Sequence, residues 1–252
     1  MDWISNPEVW SALAALLLLE VVLGVDNVIF LSILASKLPA DQQGRARRTG
    51  LLAAGGMRIL LLLAVGWVIG LKSELFELFS VSFSGKDLIL LAGGAFLIYK
   101  ATKEIHDKLE GEEHGAGGKA APTFGAVIGQ VLLLDLVFSI DSVITAVGMT
   151  TYIGVMIAAV ATSIAVMLVA SRSIYDFVNQ HPTVKMLALA FLLLIGTTLI
   201  AEGLGQKIPK GYVYSAIAFS VLVEALNIRL AAKKKERIQP VHLHQKIVAD
   251  AN

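Results

Sequence analysis

Long apolar runs alternate with short polar segments along the chain, and runs of this length predict helices. They fall at about residues 8–34, 50–71, 86–103, 124–147, 152–171, 184–204 and 211–230. A membrane-crossing helix needs about 20 mostly apolar residues, so most of these runs suffice and the third is short. The expected fold is all-α: a polytopic membrane protein with seven transmembrane helices. At its start, Asn6 suits a helix cap, Pro7 the first turn and Glu8 the positive helix end.

Composition agrees with the pattern. The 252 residues are 56% hydrophobic and only 16% charged, where a soluble domain is about a quarter charged. With no cysteine, disulfides, thiolate metal sites and cysteine nucleophiles are excluded. A net charge of +1 without a basic, aromatic-laced stripe gives no reason to expect nucleic acid. The opening "MDWISNPEVW" lacks a basic leader, so no cleavable signal peptide is expected.

Loop charge sets the expected orientation. The loops after the first, third and fifth predicted helices, with the segment after the seventh, hold thirteen Lys and Arg, from Lys37 to Arg237. The opposite loops hold four: Lys72, Lys86, Lys207 and Lys210. The richer set belongs in the cytoplasm, with the N-terminus outside and the C-terminus inside.

Two polar interruptions of the apolar pattern match each other. Residues 20–27 read "EVVLGVDN" and residues 135–142 read "DLVFSIDS". An offset of 115 places Glu20 on Asp135, Asp26 on Asp141, Asn27 on Ser142 and Gly24 on Ser139. "GAFLIYK" at 94–100 aligns more weakly with "GTTLIAE" at 196–202. A three-helix unit repeated in line must return with inverted topology, an arrangement found in secondary transporters. The expected organisation is 1–104 as the first repeat, 105–123 as a mobile cytoplasmic loop and 124–205 as the inverted repeat. An extra helix at 206–231 and a basic tail at 232–252 follow.

On a helix, positions seven apart nearly coincide and positions six apart differ by about 120°. Glu20 and Asn27 therefore share a face, as do Asp135 and Ser142. Both acids of one span reach one ion only if the helix unwinds near Gly24 or Ser139; otherwise two ion positions line a path. The donors are carboxylates, an amide and a hydroxyl, a set that favours Mg²⁺, Ca²⁺ or Mn²⁺. Protons between ions would serve the same acids, since desolvation raises carboxylate pKa. Arg58 is expected as a counter-ion to one of them or as a gate. Glu202 and Glu224 are further buried charges with gating or counter-ion roles. The competing reading is structural: the acids pair with Arg58, Lys100 and Arg172. His106 and His114 lie among loop acids, where solvation is the simpler account. The glycine pairs Gly55-Gly56 and Gly93-Gly94 suit close helix contact.

"LEVVLGVDNVIFLS" at 19–32 and "LDLVFSIDSVITAVGM" at 134–149 resemble the paired signatures of the TerC family of integral membrane proteins. The resemblance runs over about residues 5 to 230. It implies manganese export, metalation of secreted enzymes and a link to tellurite resistance. It also implies Glu20, Asp26, Asn27, Asp135, Asp141 and Ser142 as metal residues. Asp135 is shorter by one methylene than Glu20, its match. The chain stops soon after the seventh predicted helix and so resembles the short form, without cytoplasmic regulatory modules.

The leading expectation is a transporter of a bacterial inner (plasma) membrane that exports a divalent cation, Mn²⁺ foremost. The metal is substrate, no cofactor is expected, and the lipid bilayer is the main partner. The alternative is a membrane assembly or metal-delivery factor for exported proteins. Homo-oligomers and contact with secretion machinery stay open. No enzyme is expected, since no Ser/His, HExxH or GxGD constellation occurs.

Overall fold

The computed structural model describes residues 7–78, 81–110, 122–206 and 208–237, with backbone alone at Leu23, Asp26, Leu78, Val81, Lys210 and 234–237. Asn6, Lys207, His114 and the 238–252 tail lie outside the described residues. The elements run α1 (Pro7–Ala35), α2 (Ala40–Leu63), α3 (Val65–Gly70), β1 (Glu74–Leu78), β2 (Val81–Ser84), α4 (Gly85–Leu109), α5 (Phe124–Met149), α6 (Ile153–Gln180), α7 (Pro182–Gly203) and α8 (Lys210–Arg237). By contacts the chain forms two compact units, Met1–Val213 and Tyr214–Asn252, the second holding most of α8.

Five of the described helices are long and apolar enough to cross a membrane: α1, α5, α6, α7 and Gly211–Lys233 within α8. The all-α membrane class therefore holds. Of the seven expected spans, the two in α2 and α4 are long enough but more polar, carrying Arg58 and Lys100 among others. Leu60, Leu63, Leu133 and Val169 stand exposed on the helix surfaces, as side chains facing lipid do.

Helix ends depart from the hydropathy limits. α2 begins at Ala40 and α6 continues to Gln180, well past the apolar runs. Hydropathy marks where hydrocarbon would end, whereas backbone hydrogen bonding continues into polar sequence. α4 likewise reaches Leu109, so Glu104 and His106 are helical rather than part of a loop. The predicted helix over 50–71 divides at Ala64. Residues 74–84, expected as a loop, form an antiparallel hairpin in which Phe76 stacks on Phe83 at 5.4 Å. At its end Ser84 and Asp87 form a reciprocal capping box that starts α4.

Within the first unit, α4 lies along α7, α1 along α6, and α2 along α5 and α6. Glycines set the closest approach. A Cβ on Gly94 would sit 2.6 Å from the Gly196 carbonyl oxygen, and one on Gly196 would sit 3.0 Å from the Gly94 carbonyl oxygen. Gly93 and Gly55 also meet side chains of neighbouring helices, Val137 and Ile164. Gly56, expected as a contact residue with Gly55, faces open space. Two apolar cores result. One, toward the hairpin, holds Leu16, Leu62, Ile140, Val143 and Val160; the other holds Val28, Leu31, Leu51, Val131 and Met167. Along α1 and α2 the interval between them contains Glu20 and Arg58, while Asp135 on α5 lies beside Leu134 and Val137 of the second core.

Candidate functional site

α1 and α5 are continuous through Gly24 and Ser139, so neither helix unwinds between its two acids. On an unbroken helix those acids point about 120° apart, and the structure puts the described ones in different company. Glu20 and Asp135 converge on Arg58 from opposite repeated motifs. Arg58 Nη1 donates to Glu20 Oε2, Nη2 donates to Asp135 Oδ1 at 2.6 Å, and Nε donates to the same oxygen at 3.0 Å. Arg58, Glu20 and Asp135 are 3%, 5% and 2% exposed, which makes this a buried network rather than a surface ion pair.

The rest of both motifs supports Asp135. Asn27 Nδ2 donates to Asp135 Oδ1 at 2.9 Å, and Ser139 Oγ donates to Oδ2 at 3.1 Å. Ser142 Oγ donates to the Ser139 carbonyl at 3.3 Å. Planar, five-donor arginine is the cation that can meet two carboxylates at once. Two acids thus share one buried guanidinium.

Asp141 lies apart from this centre. Lys86 Nζ, from the first turn of α4, stands 3.3 Å from Asp141 Oδ1, and both side chains retain some exposure. Asp26 is helical, and its side chain lies outside the described residues. Glu202 sits partly buried in the last turn of α7, at the hairpin end of the bundle. Glu224 lies in the second unit and is half-buried there. Among the described residues no group of three or more His, Asp or Glu side chains converges. Arg58 thus pairs with two acids, where a counter-ion to one of them was expected.

A cavity of about 10 Å³ adjoins the network. Glu20, Arg58 and Ser142 give it a polar wall, and Leu16, Val143, Ala146 and Met156 are part of its apolar lining. A larger cavity of about 280 Å³ is lined by Glu8, Ala12, Thr150 and Tyr152. Ala12 stands four residues before Leu16 in the chain, and Tyr152 four before Met156. Lys86 and Met156 were missed in the sequence: each reaches the site from another helix, and local periodicity carries no trace of that.

The model of the integral membrane protein TerC family matches residues 5–238. The chain belongs to the TerC family. Among similar proteins, the UPF0053 inner membrane protein YgdQ of Escherichia coli is 53% identical over 226 residues, covering 90% of this chain and 95% of YgdQ. The E. coli inner membrane protein YoaE is 50% identical over 228 residues, 90% of this chain but 44% of its own length. YegH of Shigella flexneri is likewise 50% identical, over 43% of its length. No solved structure matches. The first expectation of family is therefore met, and the membrane setting agrees with relatives named as inner membrane proteins.

Proposed function

We propose that this TerC-family protein is a secondary transporter of a bacterial inner membrane that exports a divalent cation, with Mn²⁺ as the foremost substrate. The observation that carries the reading is the convergence of Glu20 and Asp135, matching positions of two motifs, on one buried guanidinium. In this reading Arg58 holds the acid pair until a dication takes its place. Two carboxylates and a dication are neutral together, which suits an interior of low dielectric. Protons on the same acids would carry the return step.

The reading includes seven spans with α2 and α4 among them, the N-terminus outside, and a 3+3 inverted repeat of α1, α2 and α4 against α5, α6 and α7. The packing supports the repeat. Exchanging the two sets turns the α1 contact with α6 into the α5 contact with α2. Gly94 and Gly196, equivalent in the alignment, meet each other reciprocally. Gly24 packs against Met167, while Ser139, its equivalent, lies beside the Asp135–Arg58 pair.

The test is transport by the purified protein in sealed vesicles. Mn²⁺ movement that depends on Glu20 and Asp135 is expected. Metal binding without movement, in a folded protein, would sink the transporter reading and favour a metal-delivery factor.

A further inference from the structure

At the end of the bundle opposite the hairpin, a few side chains tie α6 to the turn between α1 and α2. Gln43, in the first turn of α2, braces that turn: its Nε2 donates to the Leu38 carbonyl at 2.8 Å. The other end of the same amide, Oε1, accepts from the Tyr175 hydroxyl of α6. Arg47, one turn further along α2, lays its guanidinium over the tyrosine ring, 3.9 Å from the centroid. Lys37, in the turn itself, pairs with Glu104 of α4 at 2.6 Å. The turn is thus fixed to α2 and α4, on its own side of the proposed repeat, and Tyr175 reaches it from the other side.

α1 and α6 lie side by side, yet their two ends differ. At their starts the cavity of about 280 Å³ lies among Glu8, Val9 and Ala12 of α1 and Thr150, Thr151 and Tyr152 ahead of α6. Toward their other ends Leu31, Leu34 and Met167 belong to one apolar core, and the Tyr175 contacts follow. The tied end also carries a cost. Arg47 Nη1 is buried without a hydrogen-bond partner among the described residues. An unsatisfied buried donor opposes closure on the scale at which a hydrogen bond supports it, so a small change in free energy can release the tie.

We propose that Tyr175, Gln43 and Arg47 form a latch that closes this end of the bundle between the two repeats, and that it must release for the transported ion to pass there. This rests on the transporter reading and adds to it a gate on the side that loop charge assigns to the cytoplasm.

The chain has no cysteine, so an introduced thiol is a unique reporter. Ser171→Cys places one on α6 a turn before Tyr175, where Ser171 is 5% exposed. Ala12→Cys places one in the large cavity at the other end. Maleimide labelling rates of the full-length protein are measured in detergent. Tyr175→Phe keeps the ring under Arg47 and removes only the hydroxyl. It is expected to speed labelling at position 171 about fivefold, the change in open population that one lost hydrogen bond gives, and not to speed labelling at position 12. Gln43→Met removes the acceptor instead, and serves if Tyr175→Phe does not fold. The double variant should label no faster than Gln43→Met alone, because the hydroxyl then has no acceptor left to lose. Unchanged labelling at position 171, acceleration at both positions, or effects that multiply in the double variant would each overturn the latch. Mn²⁺ movement by the parent in sealed vesicles is read separately. Transport with unchanged labelling removes the latch alone, while the expected labelling without transport upholds the latch as a closure and removes the transporter reading.

Discussion

Replacing Arg58 by glutamine tests the central network most directly. The guanidinium donates to both Glu20 and Asp135, and all three residues are at most 5% exposed. Its removal leaves two acids in the interior with no cation between them. Breaking a buried ion pair in this way costs about 3–5 kcal/mol, a large part of an ordinary protein's stability. The assay is thermal unfolding in detergent, with a chelator and with increasing Mn²⁺. With chelator, Arg58→Gln should unfold well below the parent. If the acids form a cation site, Mn²⁺ should restore much of the loss, about 2.7 kcal/mol at a hundredfold excess over Kd. A triple variant, Glu20→Gln, Asp135→Asn and Arg58→Met, removes all the charges together. It should regain stability without metal and show no Mn²⁺ response, since replacing a whole buried network is often neutral. A single Arg58→Gln variant as stable as the parent in chelator would refute the energetic reasoning. A destabilised variant indifferent to Mn²⁺ would refute the cation site.

Two further substitutions probe the surroundings. Gly94→Ala should cost about 1–3 kcal/mol by overpacking, because its Cβ would sit 2.6 Å from a backbone oxygen that cannot step aside. Gly56→Ala faces open space and should be neutral or stabilising by up to about 1 kcal/mol through helix propensity; equal melting shifts for the two would contradict the packing. Asp141→Asn should abolish Mn²⁺ transport in vesicles while expression stays near normal, and parental transport by this variant would remove Asp141 from the path.

The repeated motifs show how far local pattern reaches. The sevenfold spacing placed Glu20 with Asn27 and Asp135 with Ser142, and the unbroken helices keep that geometry. What the spacing could not supply is the crossing between motifs. Asn27 donates to Asp135, and Ser142 shares a cavity wall with Glu20. Each motif completes the other because α1 and α5 meet in the bundle. Of the two alternatives, a break at Gly24 or Ser139 or an unbroken helix, the second holds, and the small side chains serve packing and hydrogen bonding: Gly24 against Met167, Ser139 onto Asp135. The hairpin at 74–84 was hidden for another reason. Its strands are 5 and 4 residues long, too short for alternation to stand out beside flanking apolar helices.

By itself the sequence determined the solvent in which this protein folds, the family and the residues expensive enough at depth to need an explanation. Apolar length and the cost of a buried carboxylate are properties of single segments, and a segment can be read alone. The tertiary structure decided which cation each acid keeps. Arg58 stands 38 residues from Glu20 and 77 from Asp135 along the chain, and Lys86 reaches Asp141 from the start of another helix. Such pairings depend on helix rotation and on glycine contacts such as Gly94 with Gly196, which fix how closely the helices approach. Electrostatic energy depends on that distance and on the dielectric around it, and neither is written in any one segment.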